Sequence, residues 1–484
     1  MAERLLNCLE TNNLLHFSQA AYRKKSRTTD HIFTFKSILN NYCLKKKQKL
    51  YCCFIDFKKA FDSVWRDAML LKLLQLGIGG EFYYLIKNMY SITKSRIRFS
   101  KGITEYVQSE LGIKQGDCLS PILFNVFIND MHSIFDNHCD GILVNDIQLN
   151  HLLFADDLVI VSETRNGLQK CLDKLHDYTQ TWALDINIGK TKTIIFQRYG
   201  KRTQDNCNIG GLEIEQVNKY TYLGIPFDSS GCFTSAEIEL KSKALKAMFQ
   251  LQSTLNSGVR TNCNLHTKLF DTLIRPIATY GCEVWYPIKH NKTYKNENNI
   301  MHRIDKTPCE LLHNAFCKRI LGVYKSTSNI ISKAEIGRLP LSFYIILQVI
   351  KYWNHILEKP IDSLLHQSYL SELNNSSEWT SFVKTILTLC DLQNKWDNQT
   401  ILNNNDMSIL KSNLRKMFLK LYCDAKKPDH LKCSFNLQLQ TRSNLLMPAE
   451  YTKMNIPLIY RKGLTRIRLQ SNRLGILTGR FLVP

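Results

Sequence analysis

The apolar positions of this sequence follow two periods, and the change between them divides the chain. Up to about residue 230, continuous apolar runs of strand length alternate with stretches at helical spacing; the runs are LYCCFI at 50–55, LLFA at 152–155 and LVIVS at 158–162. Helical spacing begins near Asp62, with Val64, Leu70, Leu71 and Leu74 apolar. In SPILFNVFINDM, Ser120 and Pro121 read as the N-cap and first residue of a helix buried through Ile122, Leu123, Val126, Phe127 and Met131. Leu168, Leu172, Leu175, Tyr178 and Trp182 make one face of another. Past residue 230 strand signals thin out, and helices are predicted over 234–256, 264–285, 309–322 and 341–357. The polar stretch 289–308 reads as a loop, and the Asn-rich pieces at 374–377 and 403–406 as surface connections. The predicted class is α+β, with a mixed region at 1–228 followed by helical regions at 229–357 and 358–484.

Composition narrows this. With 44% hydrophobic and 22% charged residues, the chain is expected to build packed cores, which excludes wholesale disorder, collagen and coiled coil. The longest apolar stretch, LSFYIILQVI at 341–350, is half of the ~20 residues that a membrane span needs. No basic n-region and apolar h-region open the sequence, so the protein is expected to be intracellular, nuclear or cytoplasmic, neither secreted nor transmembrane. Its 16 cysteines are scattered without any CxxC, which reads as reduced thiols. Cys309, His313 and Cys317 share a helical face but lack a fourth zinc ligand nearby. The net charge of +22 calls for a polyanionic partner, nucleic acid or an anionic membrane surface. Seven basic residues and no acid follow Tyr451.

The candidate chemistry lies in the acids that close the apolar runs. Asp56 ends LYCCFI, where a carboxylate either caps the following turn or holds a cation. Asp156 and Asp157 are flanked by LLFA and LVIVS, as the centre of a tight hairpin would be. Adjacent like charges are a poor choice for a plain turn and a good one for a divalent metal. If the strands pair side by side, three carboxylates converge, the ligand set that two-metal nucleotidyl transfer requires.

FIDFKKAFD, GIKQGDCLSPILFN, FADD and YLGI, in that order, resemble motifs A, B, C and E of reverse transcriptases, particularly those of non-LTR (LINE-like) retrotransposons. The resemblance is strong over about residues 4–226. It continues more diffusely through LIRPIATYGCEVWYP, AFCKRILGVYKSTSNIISKAEIGRLPL and the tail YRKGLTRIRLQSNRLGILTGRF. It implies a right-hand polymerase with partial fingers and a palm at 1–228, a helical thumb and following region at 229–357, and a basic helical region at 358–484.

It also implies roles. Asp56, Asp156 and Asp157 would be catalytic and would bind two Mg²⁺, with Mn²⁺ as a substitute. Phe57, Phe61, Gln115 and Gly116 would contact the incoming nucleotide, and the Phe61 ring would exclude a 2′-hydroxyl where RNA polymerases place a polar residue; an ordinary core phenylalanine is the alternative. Lys190 matches the basic residue of motif D that approaches the pyrophosphate as a general acid, with Lys192 as the alternative. Tyr222, Leu223 and Gly224 match the primer grip. SQAAYRKKSRTTDHIF resembles a fingers segment written QAGFRKGRSTxD; its Arg23, Lys24, Lys25 and Arg27 would track nucleic acid or simply form an exposed basic turn. The implied partners are an RNA template, a DNA primer or nicked target DNA, dNTPs, and an endonuclease from another chain. Against relatives both ends look cut, since the first fingers elements, an endonuclease and a terminal Cys/His knuckle are missing. The second reading is therefore a catalytically inactive nucleic-acid-binding remnant.

Overall fold

In the computed structural model, residues 1–136, 139, 141–199, 205–255, 263–295, 300–424, 448–454 and 458–469 are described. The end of the basic tail, 470–484, lies outside them. The chain forms two compact units, one of residues 1–232 with 359–375 and one of 233–358 with 376–484.

The first unit is built on a four-stranded antiparallel sheet. Its strands β1 (Leu50–Ile55), β2 (His151–Phe154), β3 (Asp157–Ser162) and β4 (Lys192–Phe196) lie in the order β4-β1-β3-β2. β1 is central and covered on both faces, which is why LYCCFI is apolar throughout instead of alternating. On one face Phe35 of helix α2 (Thr28–Leu39) meets the rings of Phe54 and Phe196 at 5.8 and 5.5 Å. On the other, Cys53, Ile55, Leu158 and Ile160 join one core with helices α4 (Ser120–Ile128) and α6 (Arg165–Thr181). Each such buried Leu, Ile or Phe contributes about 1.5–3 kcal/mol. Helix α1 (Ala2–Thr11) adds Leu5 and Leu9 to that core, and α5 (Met131–Asp136) adds Met131 and Phe135.

Three expectations shift. Helix α3 spans Arg66–Gln75, and it buries Met69, Leu70 and Leu73 while Leu71 and Leu74 stay exposed. The helix expected to start at Ser120 has Leu119 as its N-cap, one residue earlier. Residues 359–375, read with the C-terminal region, pack in the first unit, where the Ser37 hydroxyl donates to the Ser368 carbonyl at 3.0 Å and the Asn40 amide donates to Glu372.

In the second unit every described element is helical, including Thr234–Leu255, Pro308–Leu321, Leu341–Leu357 and Asn404–Asp424. The polar stretch read as a loop is in fact helical over Cys282–Lys295 and Ile300–Asp305. Its polar side chains are bonded internally: the Tyr286 and Tyr294 hydroxyls meet at 2.8 Å, and Lys289 pairs with buried Glu237 at 2.5 Å. Among the described residues no helix is long and apolar enough to cross a membrane.

Candidate active site

Strand register brings the acids together. Ile55 lies opposite Leu158 on β3, so Asp56 continues β1 alongside Asp157. The hairpin differs by one residue from the sequence expectation. Phe154 pairs with Asp157, so Ala155 and Asp156 form the turn and Asp157 opens β3. Ala155 takes φ +53°, a left-handed conformation that costs an L-residue roughly 1–3 kcal/mol unless the surroundings hold it. Buried Gln19 does so, its Oε1 accepting from the N–H groups of Ala155 and Ala21 at 3.2 and 2.9 Å. Asn125, also buried, donates to the Ala21 carbonyl at 2.7 Å. Neither residue was singled out from sequence, although an Asn inside the apolar helix SPILFNVFI was the available signal.

A second turn delivers a cation. The Asn187 N–H donates to the Asp56 carbonyl at 2.7 Å, and the Asp56 N–H donates to Thr191 Oγ1 at 3.2 Å. Between these anchors Lys190 stands 71% exposed, with Nζ 3.7 Å from Asp56 Oδ2. Lys192 is tied instead to Glu215 at 2.7 Å and to the Gly189 carbonyl, which leaves Lys190 as the lysine facing the acids.

Asp56, Phe57, Phe61, Gln115, Asp156 and Lys190 line one cleft of about 690 Å³, together with Lys58, Lys59, Ala60, Ser63, Asp185 and Asn187. The half-buried Phe61 ring stacks on Phe124 at 4.6 Å and meets Tyr22 edge-on at 6.5 Å. Phe57 is buried and bridges to Ile186. The Gln115 amide donates to Asp62 Oδ1 at 2.9 Å, and Gly116 beside it takes φ +86°. Gly112 fixes that loop to the end of motif A: it has φ +80°, and a Cβ there would meet the Asp62 carbonyl oxygen at 2.6 Å.

The acids disturb one another. Burial, then Asp156 and Asp56, push the Asp157 carboxyl up to about 6, and burial and Asp56 raise Asp156. Burial, Asp157 and Asp56 push the Tyr220 hydroxyl up to about 12. Burial followed by Asp156 and Asp157 raises Tyr22. Tyr22 and Tyr220, which stacks on Phe54 at 4.4 Å, are neighbours of the acids that sequence reasoning did not name.

Other expected site residues are placed elsewhere. The Arg23 guanidinium is held by both Glu10 carboxylate oxygens at 2.9 and 2.8 Å and by the His16 and Gln19 carbonyls, so it fastens its own loop. Lys24 donates to Asn7 at 2.5 Å, Lys25 is exposed with φ +57°, and Arg27 precedes α2, its N–H donating to Asp30 at 3.0 Å. Tyr222 is 2% exposed and its ring packs against Phe35 and Phe54 in the core. Leu223 and Gly224 form the turn of the hairpin β5 (Lys219–Tyr222) and β6 (Ile225–Asp228), both with positive φ as a tight hairpin requires.

Residues 1–227 match the sequence profile of the family described as reverse transcriptase (RNA-dependent DNA polymerase). Over these residues the chain is similar to reverse transcriptases of the non-LTR retrotransposon kind. The chain is 29% identical over 236 residues to the Pol polyprotein of the type-1 retrotransposable element R2 of Nasonia vitripennis, covering 47% of this chain and 23% of that protein. It is 23% identical over 288 residues to the RNA-directed DNA polymerase from mobile element jockey of Drosophila funebris, covering 58% and 31%. The chain thus spans less than a third of these relatives. Among solved structures, a telomerase from Candida tropicalis is similar at a TM-score of 0.34 and 19% identity, over 47% of this chain and 42% of that one, too slight a likeness to bear on function. Reverse transcriptases generally use divalent metal ions. The acids of this cleft suit them: hard oxygen donors, Asp156 and Asp157 held toward their protonated forms by burial and by neighbouring carboxylates, with Lys190 the one cation among the described residues that forms an ion pair with them.

Proposed function

We propose that the chain is an RNA-directed DNA polymerase that adds dNTPs to a primer 3′-hydroxyl in the cleft of its first unit. The convergence of Asp56, Asp156 and Asp157 beside Phe61 and Lys190 carries this reading. Asp56 and Asp156 would hold two Mg²⁺, or Mn²⁺ in their place, with Asp157 assisting. Such ions lower the pKa of the attacking hydroxyl and neutralise charge on the leaving pyrophosphate.

The chain's own residues do the rest. The primer 3′-hydroxyl gives up its proton to solvent as its oxygen attacks the α-phosphorus, the bond to pyrophosphate breaks, and the Lys190 ammonium hands a proton to the leaving oxygen. Lys190 is exposed and within reach of Asp56, so it can serve that oxygen and be recharged from solvent. The Phe61 ring, fixed by its stack on Phe124, forms the floor under the sugar and excludes a 2′-hydroxyl. Phe57, Gln115 and Gly116 border the base and triphosphate, and the Leu223-Gly224 turn lies where the primer end is steadied.

Lys24, Lys25 and Arg27 and the basic tail would follow the backbone of an RNA template and a DNA primer or nicked target. An endonuclease on another chain would supply the nick. In this reading residues 1–228 act as fingers and palm and 229–357 as thumb, with a basic region at 358–484, and the protein works inside the cell, in nucleus or cytoplasm, without a membrane.

The test is primer extension on an RNA template with Mg²⁺, offered dNTPs or NTPs. Extension with dNTPs and refusal of NTPs is expected. Tight template binding without extension would leave a nucleic-acid-binding remnant, and extension with NTPs would make the chain an RNA polymerase.

A further inference from the structure

The segment before α2 turns one aromatic side chain toward the acids. Residues 18–20 run parallel to β2, at the edge of the sheet: the Leu153 N–H donates to the Ser18 carbonyl at 3.0 Å, and the Ala20 N–H donates to the Leu153 carbonyl at 3.1 Å. Gln19 lies opposite Leu153, so the same register carried forward sets Tyr22 level with Asp156. Ser18, Gln19, Ala20 and Ala21 are buried, whereas Tyr22 is 45% exposed.

The backbone at Tyr22 is held where a tyrosine does not rest by itself. Its φ of +58° is a left-handed conformation that an L side chain disfavours. The residues on both sides enforce it: Gln19 Oε1 accepts from the Ala21 N–H, the Asn125 amide donates to the Ala21 carbonyl, and Glu10 clasps Arg23. A strained backbone that carries an exposed ring adds little to a core, and such strain gathers at ligand clamps. The Tyr22 ring has one aromatic neighbour that lines the cleft. It meets Phe61 at 88° with centroids 6.5 Å apart, while Phe124 stacks on Phe61 at 4.6 Å and 14°. Phe61 is thus gripped by two rings, one nearly parallel and one perpendicular, and the remainder of its ring borders the cleft. Burial first, and then the charges of Asp156 and Asp157, raise the Tyr22 hydroxyl, which keeps it neutral beside the acids.

We propose that Tyr22 is a positioning residue for the sugar of the incoming nucleotide, acting through Phe61. Phe124 supports a face of the Phe61 ring and Tyr22 stops it from swinging sideways, so the ring cannot yield to a 2′-hydroxyl. Without the Tyr22 ring, Phe61 can turn to another rotamer, and the space it vacates admits that hydroxyl. The strictness of the sugar choice is therefore set by the pair. This inference rests on the polymerase reading of the cleft and adds to it a residue that decides specificity.

The test is single-nucleotide extension of a primer on an RNA template by the full chain, with dATP or ATP, together with equilibrium binding of the same two nucleotides when Ca²⁺ replaces Mg²⁺ and chemistry stalls. Tyr22→Ala should lower extension with dATP a few-fold while use of ATP rises, narrowing the preference for dATP about 10-fold or more. Tyr22→Gly removes the ring without backbone strain at φ +58° and should narrow it equally; circular dichroism checks that both variants fold. Tyr22→Phe keeps the ring and should keep the parent's preference. Equal losses with both nucleotides at an unchanged preference would make Tyr22 a general structural part and overturn the proposal. A Tyr22→Phe protein as permissive as Tyr22→Ala would assign the effect to the hydroxyl and overturn it too. If the parent does not extend, the binding measurement decides: a preference for dATP that Tyr22→Ala narrows would sink the polymerase reading alone, and no preference in the parent would sink both.

Discussion

Each unit holds a cluster of charge, buried in one and open to a cleft in the other, and the two are resolved in opposite ways. In the second unit Glu310 and Lys333 are fully buried, 2.8 Å apart. The other Glu310 contacts come from His313 Nδ1 at 3.0 Å and the Leu341 N–H at 2.7 Å. Lys333 also meets Asp305 at 3.0 Å, while Arg338 donates to His313 Nε2 and clasps Asp271. Burial alone would raise the Glu310 carboxyl, but Lys333 and His313 bring it down to about 2. In the first unit the Asp157 side chain stays exposed at the strand end and its neighbours are acids, and partial burial together with those acids pushes it up to about 6. A cluster that satisfies its own charge is architecture. One that leaves like charges facing a cleft is arranged for a cation that arrives from outside.

The contrast can be broken at several points. Asp56→Ala should abolish nucleotide addition, a loss of about 10³-fold or more, while the melting temperature holds or rises, because removing one of three crowded acids relieves repulsion. Single-turnover extension together with a thermal melt checks both halves. Lys333→Met leaves Glu310 buried without its main partner and should cost about 3–5 kcal/mol, read as a lowered denaturation midpoint. A neutral result there would mean that the second cluster is not self-compensating. Lys190→Ala should lower the extension rate about 10–100-fold with little change in dNTP affinity, as loss of a proton donor would; a change in KM alone would make Lys190 a phosphate binder.

The smallest expected effect is a pH dependence of opposite sign in the two clusters. Asp157 is raised, so the metal-free fold favours its protonated form, and stability is lost as pH climbs from about 4 through 6. Glu310 is lowered, so its contribution is present above about 4.5 and is lost as pH falls toward 2. Between pH 4 and 6 only the first should act. Because the Asp157 side chain is exposed and screened by solvent, the parent should fall below Asp157→Asn by only about 1–2 °C in melting temperature over that window in a chelating buffer, and Mg²⁺ should close the gap.

Much of the first unit's core could be read from the sequence because its signals are local. LYCCFI is apolar at every position because β1 is covered on both faces, and an aspartate closing such a run has few structural excuses. The hairpin was placed one residue late because an alanine at φ +53° is not what turn preferences suggest, and the Gln19 that holds it lies 136 residues away. The surroundings of Arg23 and Tyr222 are equally non-local. Nothing local shows that Glu10 will take the guanidinium or that Phe35 and Phe54 will enclose the tyrosine. The continuation of the helix through 289–295 was hidden because its polar residues bond to Tyr286 and Glu237, a pattern without apolar periodicity.

The central claim is that the acids at the ends of β1 and β3 are the metal-holding centre of a polymerase. The most direct measurement is Mg²⁺-dependent primer extension on an RNA template by the parent chain and by Asp156→Ala, with primer-template affinity measured on both. The account expects extension by the parent that rises with Mg²⁺, none by Asp156→Ala, and equal binding of primer-template by the two. Equal extension by both proteins would contradict it.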